Sequence, residues 1–203
     1  MSFAVNVKTL CFDVQNKEAV FNAIAELDEN LFVDILINNA GLALGRDAFD
    51  EADITDWETM MNTNVNGLLY ISRALLPFIK KSKGHIINLG SVAGKEVYEN
   101  GNVYCASKYA VDAISQAMRI DLLKHNIKVT SINPGAVETE FSIVRFKGDE
   151  KKAEAAYKNY IPLTAKDVAE TIFYCASLPD HVCINDLTIT CLQQANATLF
   201  NKN

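Results

Sequence analysis

The stretch Val33-Asp34-Ile35-Leu36-Ile37-Asn38 indicates the fold class of this 203-residue chain. It is short, rich in branched aliphatic residues and apolar on both faces, as expected of a strand that helices cover from both sides. Similar runs predict four more strands, at Lys8–Phe12, His85–Leu89, Lys128–Ile132 and Asp186–Cys191. Strands of this kind are typical of parallel sheets.

Helical patterns alternate with these strands. They predict helices at Asn16–Leu27, Asp56–Lys80, Asn102–His125 and Ala165–Ser177. Thr55-x-x-Glu58 is a capping box for the second helix, and Thr164-x-x-Asp167 is a looser one for the last. Regular alternation of strands and helices produces right-handed βαβ units, so the sequence predicts an α/β fold with a doubly wound parallel sheet. The chain is long enough for one domain, residues 1–203.

Two segments depart from this alternation. Ala136–Tyr160 is irregular or weakly helical, and long connections of this kind are usually lids or binding loops. Gln193–Asn203 is polar, and we expect it to be loosely ordered.

Composition argues against several classes of function. The net charge is −6 and basic runs are short, so neither nucleic acid nor an anionic membrane is an expected partner. The five cysteines form no C-x-x-C pair, which indicates reduced thiols in the cytoplasm rather than disulfides or a zinc site. The three histidines lack metal-ligand spacing, and no signal peptide or membrane-length apolar run is visible.

The segment Tyr104-Cys105-Ala106-Ser107-Lys108 carries the most specific chemistry. A tyrosine and a lysine four residues apart project from the same face of a helix. An ammonium beside a phenol favours the phenolate, so we expect the pKa of Tyr104 to fall below its usual value of about 10. Such a phenol can exchange a proton with an alcohol or carbonyl oxygen. Ser91 follows the strand His85–Leu89 and could hold the same oxygen, which indicates carbonyl–alcohol redox chemistry.

Other polar motifs follow strands in the same way. Asn38-Asn39-Ala40-Gly41 and Asn133-Pro134-Gly135 each close a strand, and open α/β sheets bind ligands at the carboxyl ends of their strands. Asn64-Val65-Asn66-Gly67 lies within a predicted helix, where asparagine and glycine both cost stability, so Asn64 favours a functional role. Asn38 and Gly41 have an equally good structural explanation, as a buried hydrogen-bonding side chain and a turn residue.

The order and spacing of these motifs resemble the short-chain dehydrogenase/reductase family over nearly the whole chain. Within the family, Gly41–Gly45, Asp56–Met60, Val144–Asp149 and Leu178–Val182 are similar to the NADP-dependent 3-hydroxy-acid dehydrogenases. The resemblance implies hydride transfer between NADP(H), with NAD(H) as the alternative, and a small 3-hydroxy acid or related alcohol, such as serine, allo-threonine or 3-hydroxypropionate. It also implies a homotetramer, because Asp56–Lys80 and Asn102–His125 match the helices of the family's subunit interface.

The resemblance assigns a role to each matching residue. Tyr104 would be the general acid/base, and Ser91 would hydrogen-bond the reacting oxygen. Lys108 would lower the tyrosine pKa and bind the nicotinamide ribose, and Asn64 would hold a water of the proton relay. Further cofactor contacts are implied for Asp13 and Val14 at the adenine, for Asn39, Ala40 and Gly41 along the cofactor, and for Pro134, Gly135, Val137 and Thr139 at the nicotinamide.

Arg145 has a role suggested by its chemistry. A guanidinium suits planar recognition of the carboxylate of a 3-hydroxy acid, and Arg145 and Lys147 lie in the long loop after the nicotinamide segment. A solvated charged loop explains them equally well.

The glycine-rich turn that holds the cofactor pyrophosphate in the family has no counterpart in this sequence. The resemblance therefore implies a Rossmann-like doubly wound parallel sheet lacking the first βαβ unit, with Val33–Asn38 as an exposed apolar edge. Lys8–Phe12 would stand apart or move into the gap. In the family, the residues that select NADP over NAD lie in the same first βαβ unit.

Three functions are compatible with this pattern. The first is an N-terminally truncated oxidoreductase, and the second is a catalytically inactive relative that acts as a binding or assembly partner. The third is an epimerase or dehydratase on the same sheet. The intact Asn64, Ser91, Tyr104 and Lys108 set favours the oxidoreductase, because an inactive relative has no need of it.

We expect the isolated chain to bind NADPH poorly, because the turn that holds the pyrophosphate in the family is not among the matched residues. Fluorescence titration of the purified chain should show no saturation at micromolar NADPH. Saturable micromolar binding would refute this expectation.

Overall fold

The structure is a computed structural model that describes residues 5–202. Its strands are β1 Ile35–Asn38, β2 His85–Leu89, β3 Lys128–Pro134, β4 Val137–Glu138, β5 Leu163–Thr164 and β6 Asp186–Ile189. Four of them form the main parallel sheet in the order β1-β2-β3-β6, and β4 and β5 form a small second sheet. The predicted parallel α/β sheet is confirmed.

Seven α-helices are found in the described part of the chain. They are α1 Lys17–Ala25, α2 Ile54–Met61, α3 Leu68–Ser82, α4 Asn102–Leu122, α5 Phe141–Arg145, α6 Glu150–Ala155 and α7 Ala165–Ala176. A π-helical segment, Asn62–Gly67, joins α2 to α3. Within residues 5–202, no helix has the length and apolar character needed to cross a bilayer.

Helices cover the main sheet on both faces, as the prediction of a doubly wound sheet requires. On one face Leu36, Ile86 and Val129 pack against α3 and α4. On the other face Ile87 and Ile132 pack against α7. These two apolar layers supply the hydrophobic free energy that holds the helices on the sheet.

The outer strand β1 is covered on one face only. Leu36 and Asn38 are buried, whereas Ile35 and Ile37 are 45% and 46% exposed. The expected exposed apolar strand is therefore present.

The predicted strand Lys8–Phe12 is wrong, because these residues form no regular element and pair with no strand in the described part of the chain. An apolar run becomes a strand only where a neighbour takes up its backbone hydrogen bonds.

The helix predicted over Asp56–Lys80 is present as an uninterrupted helical run, but the π-helical segment divides it into α2 and α3. A glycine is needed at the end of that segment, since a Cβ on Gly67 would lie 2.9 Å from Val14 Cγ2. The predicted Thr55/Glu58 capping box is wrong. Asp53 caps α2 instead, and its carboxylate accepts a hydrogen bond from Thr55 N.

At α7 the predicted capping box is confirmed. The Thr164 side chain accepts a hydrogen bond from Asp167 N, and the Asp167 carboxylate accepts one from Thr164 N. Two backbone N–H groups that the first helical turn leaves without helical partners are thereby satisfied.

The long connection Ala136–Tyr160 is more regular than the sequence indicated. It contains β4, α5 and α6, and the Tyr157 hydroxyl ties them together by accepting a hydrogen bond from Ser142 and donating one to the Val137 carbonyl. The expected loose order of the polar tail is wrong for residues 193–202. Phe200 packs on the Tyr160 ring with a centroid separation of 4.8 Å, and Gln194 is buried.

One buried histidine, His85, lies at the amino ends of the sheet strands, opposite their carboxyl ends. His85 begins β2, is 3% exposed, and has Nε2 2.7 Å from Thr130 Oγ1. Thr130 donates its own hydrogen to the Ile184 carbonyl, so His85 Nε2 is the donor and Nδ1 is left without a partner. Burial lowers the pKa of His85 from 6.5 to about 4, and the nearby Lys128 charge acts in the same direction.

We predict that His85 makes the fold sensitive to mild acid. The unfolded chain takes up a proton on this imidazole below about pH 6.5, whereas the folded chain resists protonation until about pH 4. Stability should therefore fall through that window, by roughly 1–2 kcal/mol between neutral pH and about pH 5. Urea unfolding of His85→Gln should show a correspondingly flatter pH dependence. His181→Gln, at an exposed position, is the matched control, and identical pH dependences for wild type and His85→Gln would contradict the prediction.

Candidate active site

Ser91 follows β2 at the carboxyl end of the sheet. The chain passes very close to β3 here, since a Cβ on Gly90 would lie 2.0 Å from Asn133 Oδ1. Ser91 Oγ accepts a hydrogen bond from Ala93 N at 3.1 Å and donates only a long one, 3.5 Å, to the Pro134 carbonyl. A contact of that length is weak, so the hydroxyl hydrogen remains available to a ligand oxygen.

Lys108 lies one helical turn after Tyr104 on α4, and both side chains are buried. Lys108 Nζ donates a 2.8 Å hydrogen bond to the Leu89 carbonyl at the end of β2. Burial of the ammonium lowers the pKa of Lys108 to about 8. The helix can approach this strand end because Gly94 has no side chain, and a Cβ there would lie 2.6 Å from the Lys108 carbonyl oxygen.

The expected lowering of the Tyr104 pKa is wrong for this structure. Burial raises the pKa of Tyr104 above its ordinary value, and the neighbouring Tyr98 acts in the same direction. The Ser91 hydroxyl and the Arg145 charge lower the Tyr104 pKa, but less than burial raises it. The spacing of the motif correctly placed Lys108 beside Tyr104. It did not reveal that the ammonium donates to a backbone carbonyl, nor that the phenol is withdrawn from water.

Asn64 connects the π-helical segment to the backbone next to Gly41, in the segment expected to lie along the cofactor. Its Oδ1 accepts from Leu42 N at 2.8 Å, and its Nδ2 donates to the Leu42 carbonyl at 2.8 Å and to Ser107 Oγ at 3.0 Å. A Cβ on Gly41 would lie 3.2 Å from Asn64 Oδ1 and 3.6 Å from Lys108 Nζ. The amide side chain therefore orders the backbone around Leu42. These contacts occupy the side-chain amide, and the expectation that Asn64 holds a water of the proton relay stays a prediction.

A cleft of about 760 Å³ opens at this end of the sheet. It brings together nine of the residues predicted from the sequence, namely Asn39, Gly41, Ser91, Tyr104, Lys108, Pro134, Gly135, Val137 and Thr139. Apolar side chains from the long connection and from α7 complete its wall, among them Phe141, Val144 and Ile172. Clefts of this size with a few convergent polar groups are typical binding sites for cofactors and small molecules.

Other predicted site residues do not line this cleft. Asp13 is engaged in a turn, where its carboxylate accepts from Gln15 N at 2.9 Å, and Val14 packs on Gly67. Ala40 lies between two lining residues without lining the cleft itself. Cofactor contacts at these three positions stay predictions.

Arg145 lies beside Tyr104 rather than in the main cleft. Its Cζ is 5.5 Å from the centroid of the Tyr104 ring, a distance typical of cation–π contacts. Arg145 Nε donates to the Gly45 carbonyl at 3.2 Å, and Gly45 N donates to the Arg145 carbonyl at 2.9 Å. The Tyr104 and Arg145 side chains line a narrow crevice next to the cleft. Lys147, the other candidate, is paired with Asp56 at 2.8 Å.

Gln194 is a site residue that the sequence did not indicate. Its Oε1 accepts a 2.8 Å hydrogen bond from Ala136 N, which holds the segment Pro134–Thr139 against the tail. A Cβ on Gly135 would lie only 2.1 Å from the same oxygen. A single glutamine in a polar tail gives no signal of this contact, because the partner lies 58 residues away.

We predict a strong coupling between Gly135 and Gln194. Gly135→Ala should destabilise the fold by about 1–3 kcal/mol, because the new methyl group displaces Gln194 Oε1. In a Gln194→Ala background the same change should cost at least about 1 kcal/mol less, since the clash is gone. Urea unfolding of the two single variants and the double variant measures the coupling. Strictly additive costs would show that the two residues do not contact each other as described.

Comparisons with known proteins agree with this geometry. The family model for short chain dehydrogenase matches residues 2–150. NADP-dependent 3-hydroxy acid dehydrogenase YdfG of Escherichia coli (strain K12) is 47% identical over 190 residues, which are 92% of this chain and 77% of that protein. NADP-dependent 3-hydroxy acid dehydrogenase of Schizosaccharomyces pombe is 42% identical over 197 residues, 96% of this chain and 76% of that protein. The closed form of serine dehydrogenase complexed with NADP+ has a TM-score of 0.88 at 46% identity, covering 94% of this chain and 78% of that one. The sheet is therefore Rossmann-like, and the chain belongs to the short-chain dehydrogenase family.

Proposed function

We propose that this chain is an oxidoreductase that interconverts a small 3-hydroxy acid and the corresponding 3-oxo acid with NADP(H). The observation that carries the proposal is the convergence of Ser91, Tyr104 and Lys108 on one cleft. The relatives named above support the substrate class and the cofactor. They also favour an enzyme over an inactive binding partner and over an epimerase or dehydratase.

The cleft fits the nicotinamide half of such a cofactor. Gly41 leaves open the space beside Lys108 Nζ, and Pro134, Gly135 and Thr139 form the opposite wall. Lys108 would hold the ribose hydroxyls, and the backbone of the Pro134–Thr139 segment would hold the nicotinamide carboxamide. When bound there, NADP(H) would supply the hydride acceptor for the carbinol carbon or the hydride donor for the carbonyl carbon of the substrate. The name of each relative specifies NADP dependence, so NADP is the proposed cofactor ahead of NAD.

Tyr104 and Ser91 would handle the reacting oxygen. The Ser91 hydroxyl donates to that oxygen, and the Tyr104 hydroxyl gives it a proton during reduction or takes one during oxidation. Because burial raises the pKa of Tyr104, the phenol is protonated at neutral pH and can act as the proton donor in reduction. Oxidation requires the phenolate, so its rate should rise towards alkaline pH. A charged Lys108 beside the site would stabilise that phenolate.

Arg145 would bind the substrate carboxylate. The guanidinium lies over the Tyr104 ring, and only its Nε is used by the Gly45 carbonyl. The terminal nitrogens present a planar pair of donors of the kind that carboxylates accept. The tyrosine and arginine together would fix both ends of a three-carbon hydroxy acid.

We further propose that residues 1–203 form one domain, that the protein works in the cytoplasm and that it assembles as a homotetramer. The cleft is lined by residues from Asn39 to Ile172, which supports one domain. All five cysteines are free thiols, which suits a reducing compartment. Ile120 and Leu123 at the end of α4 are 75% and 71% exposed, and such apolar side chains suit a subunit interface.

Turnover of L-serine, L-allo-threonine and 3-hydroxypropionate with millimolar NADP+ tests the proposed reaction. We predict that Tyr104→Phe lowers kcat/KM by about 10²–10⁴-fold, because the proton donor is lost while the ring remains. Tyr109→Phe is the matched control, since Tyr109 lies on the same helix and its hydroxyl donates to the Lys95 carbonyl. The proposal fails if all three acids are inert with the wild type, or if Tyr104→Phe retains wild-type turnover.

A further inference from the structure

Two arginines meet at one half-buried tyrosine, Tyr98, next to the candidate active site. Arg46 Cζ is 5.7 Å and Arg145 Cζ is 5.6 Å from the centroid of the Tyr98 ring. Arg145 Cζ is also 5.5 Å from the Tyr104 ring centroid, so it is shared between Tyr98 and the catalytic tyrosine. The Arg145 guanidinium thus belongs to the proposed substrate site and also shares the Tyr98 ring with Arg46.

Neither guanidinium has an acidic partner among residues 5–202. Lysines in the same region are neutralised, with Lys147 paired to Asp56 at 2.8 Å and Lys152 approached by Asp149 at 3.7 Å. Arg46 is exposed and Arg145 is half-buried, so an anion can reach both guanidiniums and would be attracted by their two charges together.

A cavity of about 470 Å³ lies where the two arginines meet the long connection. Its wall contains two arginines, Arg46 and Arg145, and one carboxylate, Asp47, together with two lysines, Lys147 and Lys152, that are paired with carboxylates outside the cavity. Phe146, Ala155 and Ala156 supply an apolar part of the wall. Arg145 lines both this cavity and the crevice at Tyr104, so the two spaces share that guanidinium.

We propose that Arg46 and Arg145 form an anion subsite that selects 3-hydroxy acids with a second acidic group. This inference rests on the proposed function and specifies its substrate class. With the hydroxyl of the substrate at Tyr104, Arg145 receives the first carboxylate and Arg46 receives the second. A carboxylate and a phosphate both offer two anionic oxygens that a guanidinium can bind through two N–H donors, so either can serve as the second group.

The test compares 3-hydroxyglutarate with 3-hydroxybutyrate, which differ in the acidic arm alone. Wild type should have a kcat/KM for 3-hydroxyglutarate about 10-fold or more above that for 3-hydroxybutyrate, the worth of one charge-assisted hydrogen bond. Arg46→Gln should remove most of this preference by lowering kcat/KM for 3-hydroxyglutarate. Lys151→Gln is the matched control, because Lys151 is exposed on α6 and does not line the cavity. Replacing the arm with a phosphorylated one separates phosphate from carboxylate recognition.

A binding measurement without turnover separates the two proposals. Calorimetry should show that glutarate binds wild type more tightly than butyrate does, and that Arg46→Gln loses the difference while Lys151→Gln keeps it. If glutarate shows this preference but no hydroxy acid turns over, the subsite stands and the proposed reaction is wrong. If hydroxy acids turn over with no preference for the dianion, or if Arg46→Gln and Lys151→Gln behave alike, the subsite is overturned and the reaction stands.

Discussion

The hydrogen bond from Lys108 Nζ to the Leu89 carbonyl fixes the geometry on which the candidate site depends. It joins the helix α4 to the last residue of β2, two residues before Ser91. Tyr104, one turn earlier on the helix, is thereby held beside the serine hydroxyl. The contact requires that α4 approach the strand end closely, which Gly94 permits by presenting no side chain to the Lys108 backbone. A charged group buried in this way is retained because the carbonyl partly replaces the water it has lost.

Burial gives the two ionisable groups of the motif opposite tendencies. It raises the pKa of Tyr104 and lowers that of Lys108 to about 8, so each charged form is disfavoured. A site in this condition gains more from a bound polar ligand than an exposed site would. The ribose hydroxyls proposed for Lys108 and the substrate oxygen proposed for Tyr104 would supply interactions that the protein itself leaves incomplete.

The sequence predicted the parts of the structure that follow from local spacing. The strands β2 and β3, the helix α4 and the positions of Ser91, Tyr104 and Lys108 all depend on periodicity or on the end of a strand. The contact of Gln194 with Ala136 could not be predicted, because it joins residues 58 positions apart and has no motif. Lys8–Phe12 has the composition of a strand, but strand formation also requires a neighbouring backbone. The pKa of Tyr104 depends on exclusion of water, which spacing alone does not report.

The π-helical segment Asn62–Gly67 also constrains the number of residues between α2 and α3. A π-helical turn contains one residue more than an α-helical turn, and each residue of a helix turns the chain by about 100°. Deleting one residue here would let a regular helix form, but it would rotate α3 relative to α2. Either Asn64 would lose its hydrogen bonds to the Leu42 backbone, or the apolar face of α3 would turn away from the sheet. Insertions and deletions should therefore be selected against in this segment during evolution, even where single substitutions are accepted.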